Sequence, residues 1–445
     1  MFLKKLWPFG KRKAESGSKY EYFSTEKVYT PVSQLAIGMY VVELDRPWLE
    51  TPFLFQGFEL KTQAQIDAIK DFCTYVYIDK TKTKKINYNS LLARSNVQTN
   101  IISQIDFDKP PPEKFGTFER EILRAENVYA NTEYLVANFM KTAAKGAGID
   151  GWLAKKAVAE CINSVMSSPD AMLWLTQMRN KDKYTIQHSL NVSVLSVIFG
   201  RYLNLSNDAI ANLGLCGMMH DIGKMQLPLK ILHKRGKLSE EEFEIMKTHT
   251  TLGFELLKSS EHFDYSVALT ALTHHMHVNG SGGYPKNAKS TSFSDYAKII
   301  SIVDAYDAML SKKDYDTSKT HLEAIATLMK NAGQQWDRRL VIKFIESLGV
   351  YPPGSLVLMT NGYVAIVIEV NDRTKLRPKV ILLMDENKQP IPEEIVDLSQ
   401  MICDKKGEVY TIRNIIKPED WNIDASKYIN EVLIHKVWHD PGSSS

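Results

Sequence analysis

Long apolar runs and paired cysteines are the two features most clearly missing from this sequence. No apolar run reaches the roughly 18–20 residues that a membrane-spanning helix needs, so the sequence predicts no membrane span. The four cysteines, Cys73, Cys161, Cys216 and Cys403, lie far apart and form no CxxC pair. This spacing argues against a disulfide scaffold or a zinc finger. It favours reduced thiols and a cytoplasmic protein.

A strong excess of charge of one sign is missing as well. The 55 Lys and Arg against 52 Asp and Glu leave a net charge of +3, which is too small to favour a nucleic-acid polymer as partner. The small net charge does not exclude a small anionic ligand. The sequence has no internal repeat and no heptad run that would predict a coiled-coil dimer. It leaves undecided whether the protein forms a homodimer and whether the N-terminal segment binds signalling partners.

What is present is the composition of a globular protein with several domains. The chain has 445 residues, of which 44% are apolar and 24% charged, and two or three domains are expected at this length. Residues 20–80 alternate strand-forming runs with turns around one helical segment, which predicts a small α+β domain. Residues 81–117 have the polar composition of a linker. Residues 118–348 show helical periodicity. Residues 349–437 contain the strand-forming runs GSLVLMT, GYVAIVIEV and PKVILLM and are expected to form a small β-rich unit, so the predicted fold class is mainly α.

Histidine is scarce in the chain but concentrated in the helical segment. Of only 11 histidines, three fall within four residues of the stretch ALTHHMHVNGSGGYP. The candidate ligands, most of them among apolar neighbours, are His188, His220, Asp221, His249, His274, His275 and Asp304. Burying unpaired polar groups costs roughly a few kcal/mol each, so such a cluster needs a compensating interaction. Metal ligation is the simplest one.

Five imidazoles and two carboxylates are enough ligands for two metal ions, with positions left for water and substrate. Two ions about 3.5–4 Å apart can hold the attacking and leaving oxygens of a phosphodiester. A shell of imidazole and carboxylate without thiolate favours Fe or Mn and tolerates Zn, Ni or Co. The sequence therefore predicts two divalent metal ions and leaves their identity open.

Taken in order, these motifs resemble the HD-GYP subgroup of HD-domain phosphohydrolases. The match consists of HDIGK at 220–224, then His249, the pair at 274–275, GYP at 283–285 and DAYDAM at 304–309. The segment PVSQLAIGMYVVELDRPWLETPFLFQGF also resembles the small domain often found ahead of such modules. The resemblance implies an all-helical catalytic domain of HD type. It also implies hydrolysis of cyclic dinucleotides in bacterial second-messenger signalling, chiefly cyclic di-GMP to pGpG and in some members on to GMP.

The resemblance also implies a role for each site residue. One metal would be bound by His188, His220, Asp221 and Asp304. The other would share Asp221 and be bound by His249, His274 and His275. Asp221 would thus serve catalysis together with Lys224, which would hold the phosphate and stabilise its developing charge. Gly283 and Tyr284 of the GYP loop would contact the substrate, and Lys313 would be a further cation for it.

Three departures from the family pattern leave the substrate open. Met276 stands where the family usually has Glu, Asn279 stands where it has Asp, and the loop has one extra glycine. The segment after DAM reads SKKDYD instead of an Arg-Pro-Tyr-Arg-like stretch, so Lys313 lacks a bidentate fork and Asp316 reverses a charge. Tyr184 occupies the position where members with three metals carry Glu. A tyrosine with a pKa of about 10 is a poor ligand, so we expect two metals rather than three.

Three hypotheses for function follow. The first is an active phosphodiesterase for cyclic di-GMP, with 3′,3′-cyclic GMP-AMP as a variant substrate, and it is favoured because all seven ligand positions and Lys224 are present. The second is a catalytically impaired, metal-loaded receptor or adaptor for cyclic di-GMP, which the changes at Met276, Asn279 and Asp316 favour. The third is a different HD phosphohydrolase acting on nucleotides or phosphoesters. His277 is interpreted as a solvent-facing loop residue rather than a ligand or proton donor.

Overall fold

The computed structural model describes residues 27–45, 58–60, 62–79, 101–177, 184–234, 236–286, 293–311, 319–371, 373–404, 407, 409–417 and 421. The chain divides into two compact units, Met1–Asn96 and Val97–Ser445. The predicted fold class is confirmed, with a helical domain, a small α+β unit before it and a small antiparallel sheet near the C-terminus. Within the described residues, no helix is both long and apolar enough to cross a membrane.

The first unit is a four-stranded antiparallel sheet packed against one helix. Its strands are β1 (Lys27–Pro31), β2 (Tyr40–Leu44), β3 (Phe58–Glu59) and β4 (Tyr75–Asp79), in the order β1-β4-β2-β3. Helix α1 (Gln63–Phe72) starts with a capping box in which Thr62 and Gln65 satisfy each other's backbone N–H groups. Ile66 and Ile69 on this helix enter the core of the unit. The predicted helix between two strands is therefore confirmed.

The second unit is built around a bundle of helices. They are α2 (Phe118–Ala144), α3 (Gly151–Ser167), α4 (Pro169–Gln177), α5 (Tyr184–Tyr202), α6 (Asn207–Met219), α7 (Leu229–Leu232), α8 (Glu240–Lys247), α9 (His249–Ser259), α10 (Tyr265–Thr273), α11 (Asp295–Leu310), α12 (His321–Asn331) and α13 (Arg338–Leu348). A 3₁₀ helix, Ile222–Gln226, lies between α6 and α7. Every residue of α5 from His188 to Arg201 is buried, so this helix occupies the middle of the bundle.

Residues 101–117, inside the predicted linker segment, pack against this bundle. Ile101 and Ile105 belong to the helical core. The buried Arg201 of α5 donates hydrogen bonds to the carbonyl oxygens of Pro112 and Glu113, at 3.0 and 2.7 Å. These contacts fix the entry to the bundle.

A five-stranded antiparallel sheet closes the second unit. Its strands are β5 (Leu356–Met359), β6 (Val364–Glu369), β7 (Lys379–Met384), β8 (Pro390–Asp397) and β9 (Ile412–Ile415), in the order β8-β7-β6-β5-β9. Alternate residues serve two cores, since Ile366 packs with the helices while Ala365 and Val367 pack on the opposite face. The sequence predicts β5 to β7 but not β8. This strand contains two prolines, which are tolerated because it lies at the edge of the sheet.

Candidate active site and metal centre

The candidate ligands come from five separate places in the bundle, most of them at helix ends. His188 lies within α5 and Asp304 within α11. His220 caps the C-terminus of α6, and Asp221 directly follows it. His249 is the first residue of α9. The structure brings these side chains, which come from different helices, together at one place inside the bundle.

The pair His274 and His275 follows the same rule at the end of α10, where His274 is the C-cap. Close approach of two backbone segments completes the arrangement. A Cβ atom on Gly223 of the 3₁₀ helix would lie 2.0 Å from the carbonyl oxygen of His249 and 2.4 Å from the amide nitrogen of Gly253. Only glycine lets the HDIGK turn lie against α9, and this explains the glycine in that motif.

The seven side chains form two clusters of potential ligand atoms, each with all atoms within 4.8 Å of one another. The first cluster consists of His188, His220 and Asp304. The second cluster consists of Asp221, His249, His274 and His275. The division matches the two ligand sets that the family resemblance implies, with Asp221 next to both. Their assignment as ligands stays a prediction.

In the first cluster, the atoms that face one another are imidazole nitrogens and carboxylate oxygens. His188 Nε2 lies 3.1 Å from Asp304 Oδ1, and His220 Nε2 lies 3.7 Å from the same oxygen. Asp221 Oδ2 lies 3.3 Å from His220 Nε2 and 3.6 Å from His188 Nε2. Asp221 therefore borders the first cluster through one oxygen.

Its second oxygen faces the other cluster. Asp221 Oδ1 lies 3.4 Å from His249 Nε2 and 3.8 Å from His274 Nε2. Each carboxylate oxygen of Asp221 faces a different set of imidazoles, so Asp221 lies within reach of both clusters. His275 borders both clusters, with its Nδ1 at 4.0 Å from Asp304 Oδ2.

Hydrogen bonds to Nδ1 orient four of the five imidazoles. The Nδ1 of His220 lies 2.7 Å from the carbonyl oxygen of Gly217, and that of His249 lies 2.7 Å from the carbonyl oxygen of Met246. His274 Nδ1 lies 3.0 Å from the carbonyl oxygen of Ala271. A carbonyl oxygen can only accept, so each Nδ1 carries a proton, and in the neutral form of each imidazole the lone pair lies on Nε2, facing the cluster.

The fourth acceptor is a carboxylate that sequence reasoning did not single out. Asp307, fully buried on α11, lies with its Oδ2 2.8 Å from His188 Nδ1. Its Oδ1 accepts a hydrogen bond from Asn191 at 3.1 Å, and Asn191 in turn accepts one from the hydroxyl of Tyr129 at 2.6 Å. The spacing of three between Asp304 and Asp307 is the signal that could have revealed this residue, because it places both on one helix face.

Buried atoms without partners test whether these residues suit a metal ion. Among the described residues, His220 Nε2, Asp221 Oδ1, His249 Nε2 and His274 Nε2 are buried and have no hydrogen-bond partner. Leaving each such atom unsatisfied costs about 1–3 kcal/mol, which a cation at the centre of the cluster would remove. The donor set of imidazole and carboxylate without thiolate suits divalent metal ions. The residues therefore fit a metal centre.

The two clusters differ in their protonation. Burial lowers the pKa of His249 to about 4 and holds the pKa of His274 well below its ordinary value. The second cluster is therefore neutral in its imidazoles near pH 7. In the first cluster burial alone would lower the pKa of His220, but Asp221 and Asp304 outweigh it and raise that pKa to about 10. His188 follows the same direction, because Asp304 and Asp307 raise its pKa against the effect of burial.

The carboxylates are ionised. Burial would raise the pKa of Asp221, yet Lys224 and His220 hold it well below its usual range. Asp304 is held low in the same way by His188 and His220. These two negative charges draw positive charge to this point of the bundle, which the proton on His220 supplies unless a cation replaces it.

Among the described residues, the two clusters are open to solvent where Asp304 and His275 lie. His220, Asp221, His249 and His274 are buried, whereas Asp304 and His275 have side chains that are 13% and 27% exposed. Lys224 lies at this open side, 24% exposed, with its Nζ 2.5 Å from Asp221 Oδ2. A ligand entering from solvent would therefore meet Lys224 and the exposed edges of Asp304 and His275.

The GYP loop, despite its unusual sequence, places Tyr284 at the same opening. The Tyr284 ring centroid lies 4.6 Å from that of His275 and 6.1 Å from that of His249. Gly283 makes this possible, because it has a φ of +82° and a Cβ there would lie 2.2 Å from the carbonyl oxygen of His275. Asn279 shapes the loop through its Oδ1, which accepts hydrogen bonds from the amide and hydroxyl of Ser281.

Of the other residues that the sequence analysis discussed, two lie near the clusters and two lie outside the described residues. Tyr184 lies parallel to His188, with ring centroids 5.9 Å apart, in the position where a third ligand set would need Glu. His277 is half-buried against Gly282, whose Cβ would lie 2.4 Å from the His277 ring. Lys313 and Asp316 lie outside the described residues, so their contacts stay predictions.

Three protein-family models match the chain. An HD domain matches residues 166–340, which include all seven clustered side chains. A domain of unknown function matches residues 28–151, and a KOW domain associated with HD domains matches residues 356–402. The order of the three matches follows the order of the α+β, helical and β-rich parts of the chain.

Characterised relatives are found over the same regions. The chain is 30% identical to a cyclic di-GMP phosphodiesterase of Pseudomonas aeruginosa over 395 residues, which cover 88% of this chain and 92% of that protein. It is 29% identical to a cyclic di-GMP phosphodiesterase of Borreliella burgdorferi over 241 residues, 52% of this chain and 62% of the relative. A 3′3′-cGAMP-specific phosphodiesterase of Vibrio cholerae is 33% identical over 162 residues, 36% of this chain and 37% of the relative.

Proposed function

Because this chain belongs to the HD-GYP subgroup of the HD-domain phosphohydrolases, we propose that it is a metal-dependent phosphodiesterase that hydrolyses cyclic dinucleotides. The observation that carries the proposal is the pair of ligand clusters with Asp221 between them, open to solvent beside Lys224. Cyclic di-GMP is the first substrate to test, because the relative that aligns with most of the chain is named for it.

Two ions are the number that the ligand set supports. His188, His220 and Asp304 would hold one, His249, His274 and His275 would hold the other, and Asp221 would contact both. Bound divalent ions would supply an acidified water and neutralise charge on the phosphodiester. Iron or manganese is favoured, and zinc, nickel or cobalt would also fit the donors.

The side chains of the protein contribute orientation and charge. Nδ1–H bonds to Gly217, Met246 and Ala271 hold the imidazoles so that their Nε2 atoms point inward before any ligand arrives. This preorganisation avoids an entropic cost at the moment of binding. The burial of His220, Asp221, His249 and His274 keeps these side chains away from bulk water.

Lys224 is the residue placed to act on the phosphate. Its ammonium lies 2.5 Å from Asp221 Oδ2 at the open side of the cluster, so a phosphate held beside Asp221 lies within its reach. There the ammonium would stabilise the negative charge that grows on the phosphoryl oxygens as the bond to the 3′ oxygen breaks. Tyr284, seated on His275, would contact the substrate from the loop side.

The proposal is tested by incubating anaerobically purified protein with cyclic di-GMP and with 3′,3′-cyclic GMP-AMP and separating the products by chromatography. We expect a linear dinucleotide as the product, which is pGpG for cyclic di-GMP. A time course would show whether pGpG is then converted more slowly to GMP. Asp221→Ala should abolish turnover, because it removes both facing oxygens at once. Wild-type protein that cleaves neither substrate would contradict the proposal.

The receptor hypothesis makes a different prediction in the same experiment. A receptor would bind the dinucleotide and return it intact, with metal still present. The altered positions Met276 and Asn279 first raised this alternative. Against it, the loop around them still places Tyr284 on His275, and this contact supports an active enzyme.

A further inference from the structure

Helix α8, which precedes His249 of the cluster, carries two large apolar side chains that the described part of the chain leaves partly exposed. It starts at Ser239 with a capping box to Glu242 and has no buried residue along its whole length. Phe243 and Ile245 are nevertheless large apolar side chains, 45% and 40% exposed. A single exposed apolar side chain needs no explanation, whereas one that continues a set of rings bordering a site marks a surface for a ligand. Phe243 continues such a set of rings through its contact with Tyr284.

Phe243 continues a row of rings that begins at the ligand cluster. The Tyr284 ring lies against His275 at 4.6 Å and His249 at 6.1 Å. The Phe243 ring lies on the outer side of that row, edge-to-face with Tyr284 at 6.3 Å and 83°. The row therefore runs from the candidate metal centre to solvent, and Phe243 is its outermost member.

A cation lies over one face of the Phe243 ring. The Nζ of Lys247 lies 4.7 Å from the Phe243 ring centroid and 5.9 Å from that of Tyr284. It is also 2.5 Å from Glu244 Oε1, so its charge is held near the rings by an ion pair. An aromatic surface with an adjacent ammonium suits a ligand that carries a planar ring next to a phosphate.

A cyclic dinucleotide is such a ligand, since each of its purine bases lies one ribose away from a phosphodiester. With one phosphodiester at the ligand cluster, an attached base projects along the wall that Tyr284 and Phe243 form. We propose that Phe243 is a substrate-binding residue whose ring stacks on one nucleobase of the dinucleotide through the face that Lys247 does not cover. This inference rests on the proposed function and adds a residue that determines affinity.

The test compares steady-state hydrolysis of cyclic di-GMP by four proteins: wild type, Phe243→Leu, Phe243→Trp and Ile245→Ala. Phe243→Leu keeps an apolar side chain but removes the π-face. We expect its KM to rise about tenfold to a hundredfold, with kcat changed less than threefold, because the loss of one base-stacking contact weakens ground-state and transition-state binding alike. Phe243→Trp should restore a KM close to that of wild type. Ile245→Ala is the matched control on the same helix and should leave both constants unchanged.

Three outcomes decide between the explanations. An unchanged KM in Phe243→Leu, with wild type active, overturns the stacking role and leaves the proposed function intact. A fall in kcat or in bound metal at constant KM also overturns it, because Phe243 would then only support Tyr284. Absence of hydrolysis by wild type overturns the proposed function itself. In that case equilibrium binding of a fluorescently labelled cyclic di-GMP still tests Phe243, since stacking predicts weaker binding by Phe243→Leu.

Discussion

Asp307→Asn is the substitution that tests most sharply how the cluster is organised. Asp307 accepts from two donors at once, His188 Nδ1–H at 2.8 Å and the Asn191 amide at 3.1 Å. Asparagine has the same shape but one acceptor oxygen only, so one of the two donors would face an NH₂ group. Asn191 cannot simply turn over, because its Oδ1 accepts from Tyr129 and its Nδ2 also donates to the carbonyl oxygen of Thr176.

His188 is therefore expected to be the donor that loses its hydrogen-bond acceptor. If Nδ1 loses its acceptor, the proton moves to Nε2, which lies 3.1 Å from Asp304 Oδ1 and would then no longer offer a lone pair to a cation. Loss of such an outer partner lowers metal affinity about 10- to 100-fold, equivalent to about 1.4–2.8 kcal/mol. The second cluster, with its separate carbonyl acceptors, should keep its affinity.

The assay is anaerobic titration of metal-free protein with Mn²⁺ or Fe²⁺ against a competing chelator. The control is Asp295→Asn, which removes another buried carboxylate from helix α11. The Asp295 carboxylate accepts a hydrogen bond from the amide of Ile102 at 2.9 Å. That control should lower thermal stability without changing metal affinity. Equal affinity of Asp307→Asn and wild type for both ions would refute the reasoning that Asp307 orients His188.

Three further predictions follow from the same geometry. Lys224→Ala should keep its metal ions but lose about 10²–10³-fold in kcat, measured beside Lys230→Ala as an exposed lysine control; full activity would remove Lys224 from the mechanism. Metal uptake should release protons, because the raised pKa of His220, about 10, means that a proton must leave before a cation binds. Metal affinity should therefore rise with pH up to about pH 10, because below that pH a cation must displace the proton of His220. Titration calorimetry in buffers of different ionisation enthalpy would show the proton release, and a pH-independent affinity would contradict it. Gly223→Ala should abolish metal binding and lower the melting temperature, since its Cβ would lie 2.0 Å from the carbonyl oxygen of His249. Gly148→Ala, whose nearest neighbour is 3.8 Å away, should have neither effect.

Much of the fold could be predicted because its elements follow simple periodicities. The helical segment, the strand–helix–strand order of the first unit and strands β5 to β7 all appear in the sequence as apolar patterns. Strand β8 does not, because Pro390 and its charged residues hide a strand whose outer edge faces no partner. Its position depends on pairing with β7, and periodicity within one segment carries no information on such long-range pairing.

The candidate ligands could be predicted as a set because histidine is rare and these residues come in an order with a known family pattern. What holds them could not be predicted in the same way. The acceptors of Nδ1 in His220, His249 and His274 are main-chain carbonyls, which any sequence possesses. Phe243 was missed for a related reason, since its exposure depends on how α8 lies against the loop.

The measurement that tests the central claim most directly is metal content per chain after anaerobic purification, paired with hydrolysis of cyclic di-GMP by the same sample. The account predicts about two divalent ions per chain, loss of activity when a chelator removes them and recovery when Fe²⁺ or Mn²⁺ is restored. Protein that binds no metal, or that hydrolyses the dinucleotide equally well after the metal is removed, would contradict it.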